Sequence, residues 1–393
     1  MRDRHGPVGR QDDEMACDFT VDRMTLRVRF RTDRVWVTDA RCRPAHPGAL
    51  AERMLAAHTI VFPRSGVFVR HRGAAADVGD PNHVIFFNPD EPYRSSHPGG
   101  GGDDCDVVTI RADVLAACMP ALEAASADRA GLFAVGAHAS EPRTCLAQRI
   151  LVARLERAPL ANAAEAEHAI LAVITRVLHE SHRTRVVRRV RTAPESLRNH
   201  SQWVDHAKRM LAERYREGPG LGELADAVGC SQFHLCRLFK RYTGLSIHRY
   251  LNRIRLRVAL DRLTDPDRTL ADLADWLGYS SHSHFTDAFR REFGVTPTVA
   301  RHAMLTADFS VVHALLDDAV TPARALTPAA EPSAPMAAPM AATPTPGLHA
   351  AGLHANGTHG PTLVPDDPFA FRGEELDPCP RSLPRMPLAP HAA

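Results

Sequence analysis

The sequence predicts an α+β chain in which a β-rich region over residues 15–140 precedes a helical segment over 141–182 and an all-α region over 202–301. Three observations carry that prediction. Apolar residues alternate with polar ones at Met24, Leu26, Val28 and Phe30, the period of a half-buried strand. After residue 141 the apolar period lengthens to that of a helix. Between Leu221 and Gly294 a helix-turn-helix-sized segment occurs twice, first at an offset of 49 residues and then of 50.

The β-rich region continues through short apolar runs, VWV at 35–37, TIVF at 59–62, GVFV at 66–69, HVIFF at 83–87 and DVVTI at 106–110. Turn-forming clusters such as DPN, NPDEP and HPGGGGDD separate them, a spacing expected of a small barrel or sandwich. In the helical segment, Leu146, Ile150, Leu151 and Leu155 fit one helix face, and Ile170, Val173, Ile174, Val177 and Leu178 fit another, with a break at 159–162. Two readings of these stripes stay open. They cover the β-rich region, or they form an isologous interface in a homodimer. The run RTRVVRRVR opens an arginine-rich linker over 183–198. The tail over 320–393 holds 15 of the 30 prolines and shows no apolar period, so a disordered segment is expected there. His349, His354 and His359 within it read as low-complexity pattern rather than a metal site.

Composition narrows the function classes. The 393 residues carry 48 Lys+Arg against 46 Asp+Glu, a formal net charge of +2. The eight cysteines are scattered, with no C-x-x-C pair, and read as reduced thiols. The opening MRDRHGPVGRQDDE lacks the apolar core of a signal peptide, and no stretch approaches a membrane span, so a cytoplasmic location is expected. No G-x-S-x-G elbow or Walker loop occurs. His58, His71, His83 and His97 lack the close spacing of a metal-dependent β-barrel enzyme and read as isolated histidines. No catalytic residues, metal ligands or cofactors are expected. A β-barrel enzyme or small-molecule-binding module with a helical appendage is the alternative.

The repeat is the informative part. LGELADAVGCS at Leu221 matches LADLADWLGYS at Leu270, and LFKRYTG matches AFRREFG one residue further on. Leu224, Val228, Leu235 and Leu238 are placed to bury two crossing helices against each other, with Ala225 small at the approach. Gly229 sits at the turn and Ser231 at the N-cap of the next helix. These are the constraints of a helix-turn-helix, and Leu273, Ala274, Leu277, Gly278, Phe285 and Phe289 repeat them. The exposed face of the first following helix presents Gln232, Phe233, His234, Cys236, Arg237, Lys240 and Arg241. That of the second presents Ser281, His282, Ser283, His284, Thr286, Asp287, Arg290 and Arg291. Gln and Arg can form bidentate bonds to base edges, and Ser, Thr and ring side chains meet base edges or thymine methyls. Residues 197–301 carry a net charge of +5, a local excess suited to DNA. A continuous helix over 246–264 is long enough to hold two recognition helices about one DNA turn apart.

Residues 202–301 resemble the DNA-binding domain of the AraC/XylS family of bacterial transcriptional regulators. The resemblance implies two helix-turn-helix units, sequence-specific binding of double-stranded promoter DNA, and RNA polymerase as a further partner. It places Phe233, Cys236 and Arg237 at base-facing sites of the first recognition helix, and His282, Ser283, Thr286 and Asp287 at those of the second. Cys236 stands where longer polar residues are frequent, Asp287 where some members carry a basic residue, and Ala300 where an aromatic is often found. The β-rich region resembles the cupin-like sensor domain that many members carry. That implies a small-molecule effector and dimerisation through the helices at 141–182; Tyr93, Arg94 and His97, near a strand end and loop, are candidate effector contacts, with a structural turn built on NPDEPY and HPGG as the other reading.

Overall fold

A computed structural model describes residues 18–21, 23–48, 51–73, 75–119, 132–157, 163–189, 196–306 and 308–326, with side chains outside 18–21, 184–189 and 196–199. Ten strands are formed among these residues: β1 Asp18–Val21, β2 Met24–Arg31, β3 Val35–Cys42, β4 His58–Gly66, β5 Phe68–Arg72, β6 Ala75–Gly79, β7 His83–Phe87, β8 Arg94–Ser96, β9 Asp103–Ile110 and β10 Ala137–Ala139. They pair antiparallel in two sheets, ordered β1-β2-β3-β9-β4-β7-β10 and β6-β5-β8. Neither ladder returns to its first strand, so of the barrel and sandwich readings the described strands form two open sheets that share a core, and the barrel of the cupin-like reading does not close.

The run HVIFF shows why this region reads as continuous apolar stretches. Val84 and Phe86 face the helical layer, while Ile85 and Phe87 face a second, smaller core between the sheets. A strand buried on both faces loses the polar half of its alternation. Leu26, Ala40, Val61, Cys105 and Val107 complete that inner core from the large sheet, and Phe68 from the small one.

After α1 (Ala112–Cys118), α2 (Pro142–Arg157) and α3 (Ala163–Arg189) pack on the large sheet. Ile170, Val173, Ile174 and Val177 are at most 2% exposed. Their stripe is buried in the chain's own core, which agrees with the first of the two readings, that the helices cover the β-rich region, and not with the second, that this stripe faces another copy. The helix α3 also continues through the start of the arginine-rich run to Arg189, where a linker was expected.

The all-α region comprises α4 (Ser196–Glu213), α5 (Leu221–Val228), α6 (Gln232–Thr243), α7 (Ile247–Arg262), α8 (Leu270–Trp276), α9 (His282–Phe293) and α10 (Pro297–Thr306). The chain then turns back. Helix α11 (Ser310–Leu316) packs on α2 and α3, and the short α12 (Pro322–Ala325) ends at the buried Leu326. Arg143 donates to the carbonyls of Leu315, Asp317 and Val320, which closes the end of α11. Folded structure therefore extends beyond 320, where the tail was expected to begin. The rest of the tail, with His349, His354 and His359, lies outside the described residues.

Candidate nucleic-acid interface

Each helix-turn-helix is built by the residues that predicted it. Helix α5 ends at Gly229, whose φ of 71° is left-handed, and Ser231 then caps α6 by accepting from the His234 amide at 3.3 Å. In the second unit Thr269 and Asp272 form a capping box on α8, Gly278 turns with a φ of 78°, and Ser281 accepts from the His284 amide at 3.1 Å. The extra residue of the second copy, Ser280, lies between the turn and the cap, so both recognition helices begin in register at an offset of 50. Leu235, Leu238 and Phe239 anchor α6 inward, and Phe285, Ala288, Phe289 and Phe293 anchor α9.

The outward faces follow. Gln232, Phe233, Cys236, Arg237, Lys240 and Arg241 are exposed on α6. Phe233 is 79% exposed, an arrangement that costs hydrophobic free energy in the free protein and leaves the ring available to a partner. His282, Ser283, His284, Asp287, Arg290 and Arg291 are exposed on or beside α9. Among the described residues, no hydrogen bond or ion pair engages the side chains of Arg237, Lys240 or Arg290. Three predicted contacts are placed differently. His234 is half-buried in an aromatic cluster with His200 and Trp203. Ser281 spends its hydroxyl on the cap. Thr286 is half-buried, its Oγ1 lacking a partner.

Helix α7 joins the two units. Its 16 residues span about 24 Å at 1.5 Å per residue. Sequence reasoning missed that this helix is also bound to the β-sheets. The Tyr250 hydroxyl donates to Asp80 at 2.5 Å, and the Asn82 amide donates to the Tyr250 carbonyl at 3.3 Å. Arg257 donates to the carbonyls of Pro81 at 2.9 Å and Ser140 at 2.6 Å. Asp261 accepts from Arg64 at 3.1 Å and Arg149 at 2.9 Å. Tyr250, Arg257 and Asp261 are spaced by seven and four residues, so they share one helix face. Burial would raise the Asp80 carboxyl, but His83 beside it and the hydrogen bonds from His83, Tyr250 and Asn82 hold it below its ordinary value. The same Asp80 charge, added to burial, pushes the Tyr250 hydroxyl well up.

A partly open cavity of about 110 Å³ lies against the inner core of the β region. Tyr93 and His97 line it, together with Arg53, Phe68, Phe87 and Cys105. Arg94 does not; its side chain is 58% exposed and lies 3.5 Å from Glu52. Nor is His97 an isolated histidine. Its Nε2 lies 2.5 Å from Asp103, and both side chains are buried. Burial alone would lower the His97 pKa, yet the hydrogen bond to Asp103, with Cys42 alongside, lifts it to about 9.

A tandem pair of capped helix-turn-helix units with unpartnered arginines on their outer faces defines a DNA-binding protein of the double-headed class. The comparisons agree. A family model described as a helix-turn-helix domain matches residues 224–303. The HTH-type transcriptional activator RhaS of Pectobacterium carotovorum is 37% identical over 92 residues, covering 23% of this chain and 33% of that one. The probable transcription factor PqrA of Proteus vulgaris is 34% identical over 85 residues, covering 22% of this chain and 70% of that one. A solved AraC-type regulator from Chromobacterium violaceum is 26% identical, over 28% of this chain and 96% of that one, with a TM-score of 0.26. The chain belongs to the AraC/XylS family of transcriptional regulators. It spans about a third of the length of the RhaS relatives it matches.

Proposed function

We propose that the chain binds double-stranded promoter DNA sequence-specifically through α6 and α9 and regulates transcription in response to a small-molecule effector held between its two sheets. The observation that carries this reading is the pair of exposed recognition helices, joined by one rod, α7, on which Phe233 is exposed and no hydrogen bond or ion pair among the described residues engages Arg237, Lys240 or Arg290. Gln232, Phe233, Cys236 and Arg237 face bases from α6, and His282, Ser283 and Asp287 from α9, with Lys240 and Arg290 toward phosphates. Tyr93 and His97 contact the effector from the cavity wall, and α7, bonded to the sheets, transmits the occupancy of the cavity to both heads. RhaS relatives are activators, so activation is the sign of regulation we assign, with RNA polymerase as the protein partner. The site of action is the bacterial cytoplasm. No helix among the described residues is long and apolar enough to cross a membrane. A homodimer would use a surface other than the buried Ile170–Val177 stripe.

Arg237→Ala tests the reading directly. A bidentate contact to guanine is worth about 1–3 kcal/mol, so operator affinity should fall about five- to 150-fold with preference relaxed at one base position. Selection of bound sequences from randomised DNA reads this out. An unchanged base preference in both Arg237→Ala and Ser283→Ala would remove base readout from these helices. A uniform loss with a shallower salt dependence would mark Arg237 as a phosphate contact instead.

A further inference from the structure

The inner cavity holds a second cluster that DNA binding does not use. Cys42 at the end of β3, His97 just after β8 and Asp103 at the start of β9 each offer one donor atom, and these atoms all lie within 4.8 Å of one another. The register of the sheet makes this juxtaposition, since Cys42 and Asp103 are direct partners on β3 and β9. Glycine permits it: a Cβ on Gly102 would sit 2.1 Å from the Cys42 carbonyl oxygen, and one on Gly66 would sit 2.1 Å from the Gly102 oxygen. All three donors are in buried residues that line the cavity.

We propose that Cys42, His97 and Asp103 bind one divalent metal ion of the zinc class, its remaining coordination position facing the cavity. The donor chemistry is that of Zn²⁺, which takes thiolate, imidazole and carboxylate together, whereas Mg²⁺ and Ca²⁺ sites are built from oxygen donors. Tetrahedral bonds of about 2.0–2.3 Å place ligand atoms roughly 3.3–3.8 Å apart, a compaction within reach of the observed cluster. The charges balance: a thiolate and a carboxylate neutralise the ion, and the imidazole enters neutral, so no net charge is buried. Binding releases two protons, one from the Cys42 thiol and the one His97 shares with Asp103, and the ion replaces the hydrogen bond between those two side chains. His97 is 3% exposed and turns Nε2 to within 2.5 Å of Asp103, so the same nitrogen that holds this bond is the one placed to take the metal. Asp103 is meanwhile held by its neighbours, accepting from the Cys105 thiol at 2.9 Å on one carboxylate oxygen, while its backbone carbonyl accepts from Arg43 at 3.1 Å. Such outer contacts orient a ligand without occupying the metal. The inference goes beyond DNA regulation and does not depend on it.

The test uses the full chain, reduced and stripped of metal by a chelator, titrated with Co²⁺ as a spectroscopic stand-in for Zn²⁺. One Co²⁺ per chain should bind with a thiolate-to-metal charge-transfer band that Zn²⁺ then abolishes. Cys42→Ser should remove the band, while Cys236→Ser and Cys379→Ser should leave it. Removing an outer partner of a metal ligand costs about 10–100-fold in affinity, so His97→Gln and Asp103→Asn, which remove ligands outright, should each weaken Zn²⁺ binding by at least about 100-fold. If the cavity variants do not fold, X-ray absorption of the Zn²⁺-loaded unmodified chain gives the donor set, with sulfur expected in the first shell. No stoichiometric uptake at micromolar metal, a first shell without sulfur, or a charge-transfer band retained in folded Cys42→Ser would overturn the proposal.

Discussion

Replacing Asp261 by Asn tests how firmly the DNA-binding region is fixed to the β-sheets. The Asp261 carboxylate is 11% exposed and accepts from Arg64 on β4 and Arg149 on α2. Asparagine keeps an acceptor in nearly the same volume but removes the charge. A hydrogen bond to a charged group contributes about 1.5–3 kcal/mol against about 0.5–1.5 for a neutral one, so two downgraded bonds should cost about 2–3 kcal/mol. At about 2–4 °C per kcal/mol for a folded body of this size, the melting temperature should fall by roughly 4–12 °C at pH 7. The effect has a pH signature. Burial would raise the Asp261 carboxyl, but Arg149 and Arg64 hold it below its ordinary value of 3.8. A carboxyl depressed in the folded state stabilises fully above its unfolded pKa, and that contribution disappears as pH falls through the folded value. The gap between the unmodified chain and the variant should therefore be constant at neutral pH and close progressively below about pH 4. Calorimetry across a pH series measures both. A gap near zero at pH 7, or one that persists undiminished in acid, would refute the argument that the buried charge carries this contact.

The turn glycines should separate by environment. A Cβ on Gly278 would lie 2.3 Å from the Arg216 carbonyl oxygen, while one on Gly229 meets nothing within 4 Å. Gly229→Ala should cost only the left-handed penalty of about 1–2 kcal/mol, and Gly278→Ala clearly more, as read by urea unfolding. Truncation should likewise be position-dependent. A chain ending at Leu326 should melt as the full chain does, whereas one ending at Asp318 should lose about 2–3 kcal/mol with the buried Ala325 and Leu326 and the cap on α12. Equal melting temperatures for the two truncations would show that the returning segment contributes nothing.

What the sequence disclosed and what it hid divide by range of interaction. The helix-turn-helix units were legible because their signals are local: a glycine at the turn, a serine at the cap and leucines at helical spacing, all within about twenty residues and stated twice. The strands β2, β3, β4, β5, β7 and β9 were legible for the same reason, as short apolar runs between turn clusters, whereas β1, β6, β8 and β10 carry no such run. The return of the chain through α11 and α12 was not, since Pro322 and the surrounding alanines resemble the composition that follows them, and the groups that fasten the segment, Arg143 and Arg176, are distant in sequence. The bonds from α7 to Asp80, Pro81 and Ser140 join residues more than a hundred positions apart, and no periodicity announces them. The run HPGGGGDD carried turn chemistry on its surface. That it also brings His97 and Asp103 beside Cys42 depends on the pairing of β3 with β9, which the sequence pattern does not encode.

The attachment of α7 at both Tyr250 and Asp261 has a thermodynamic consequence. These residues are eleven apart, about 16 Å along the helix, so the rod cannot tilt without releasing at least one of the two points. DNA whose two half-sites match the angle held here binds without disturbing the sheets. On the proposed reading, DNA that needs a different angle would break the contact to Asp80 or those to Arg64 and Arg149, at a cost to its own affinity. Linkage is reciprocal, so such DNA would weaken any ligand that favours the attached arrangement by the same factor by which the ligand weakens the DNA. On the proposed reading, half-site spacing in an operator would then act as an effector in its own right.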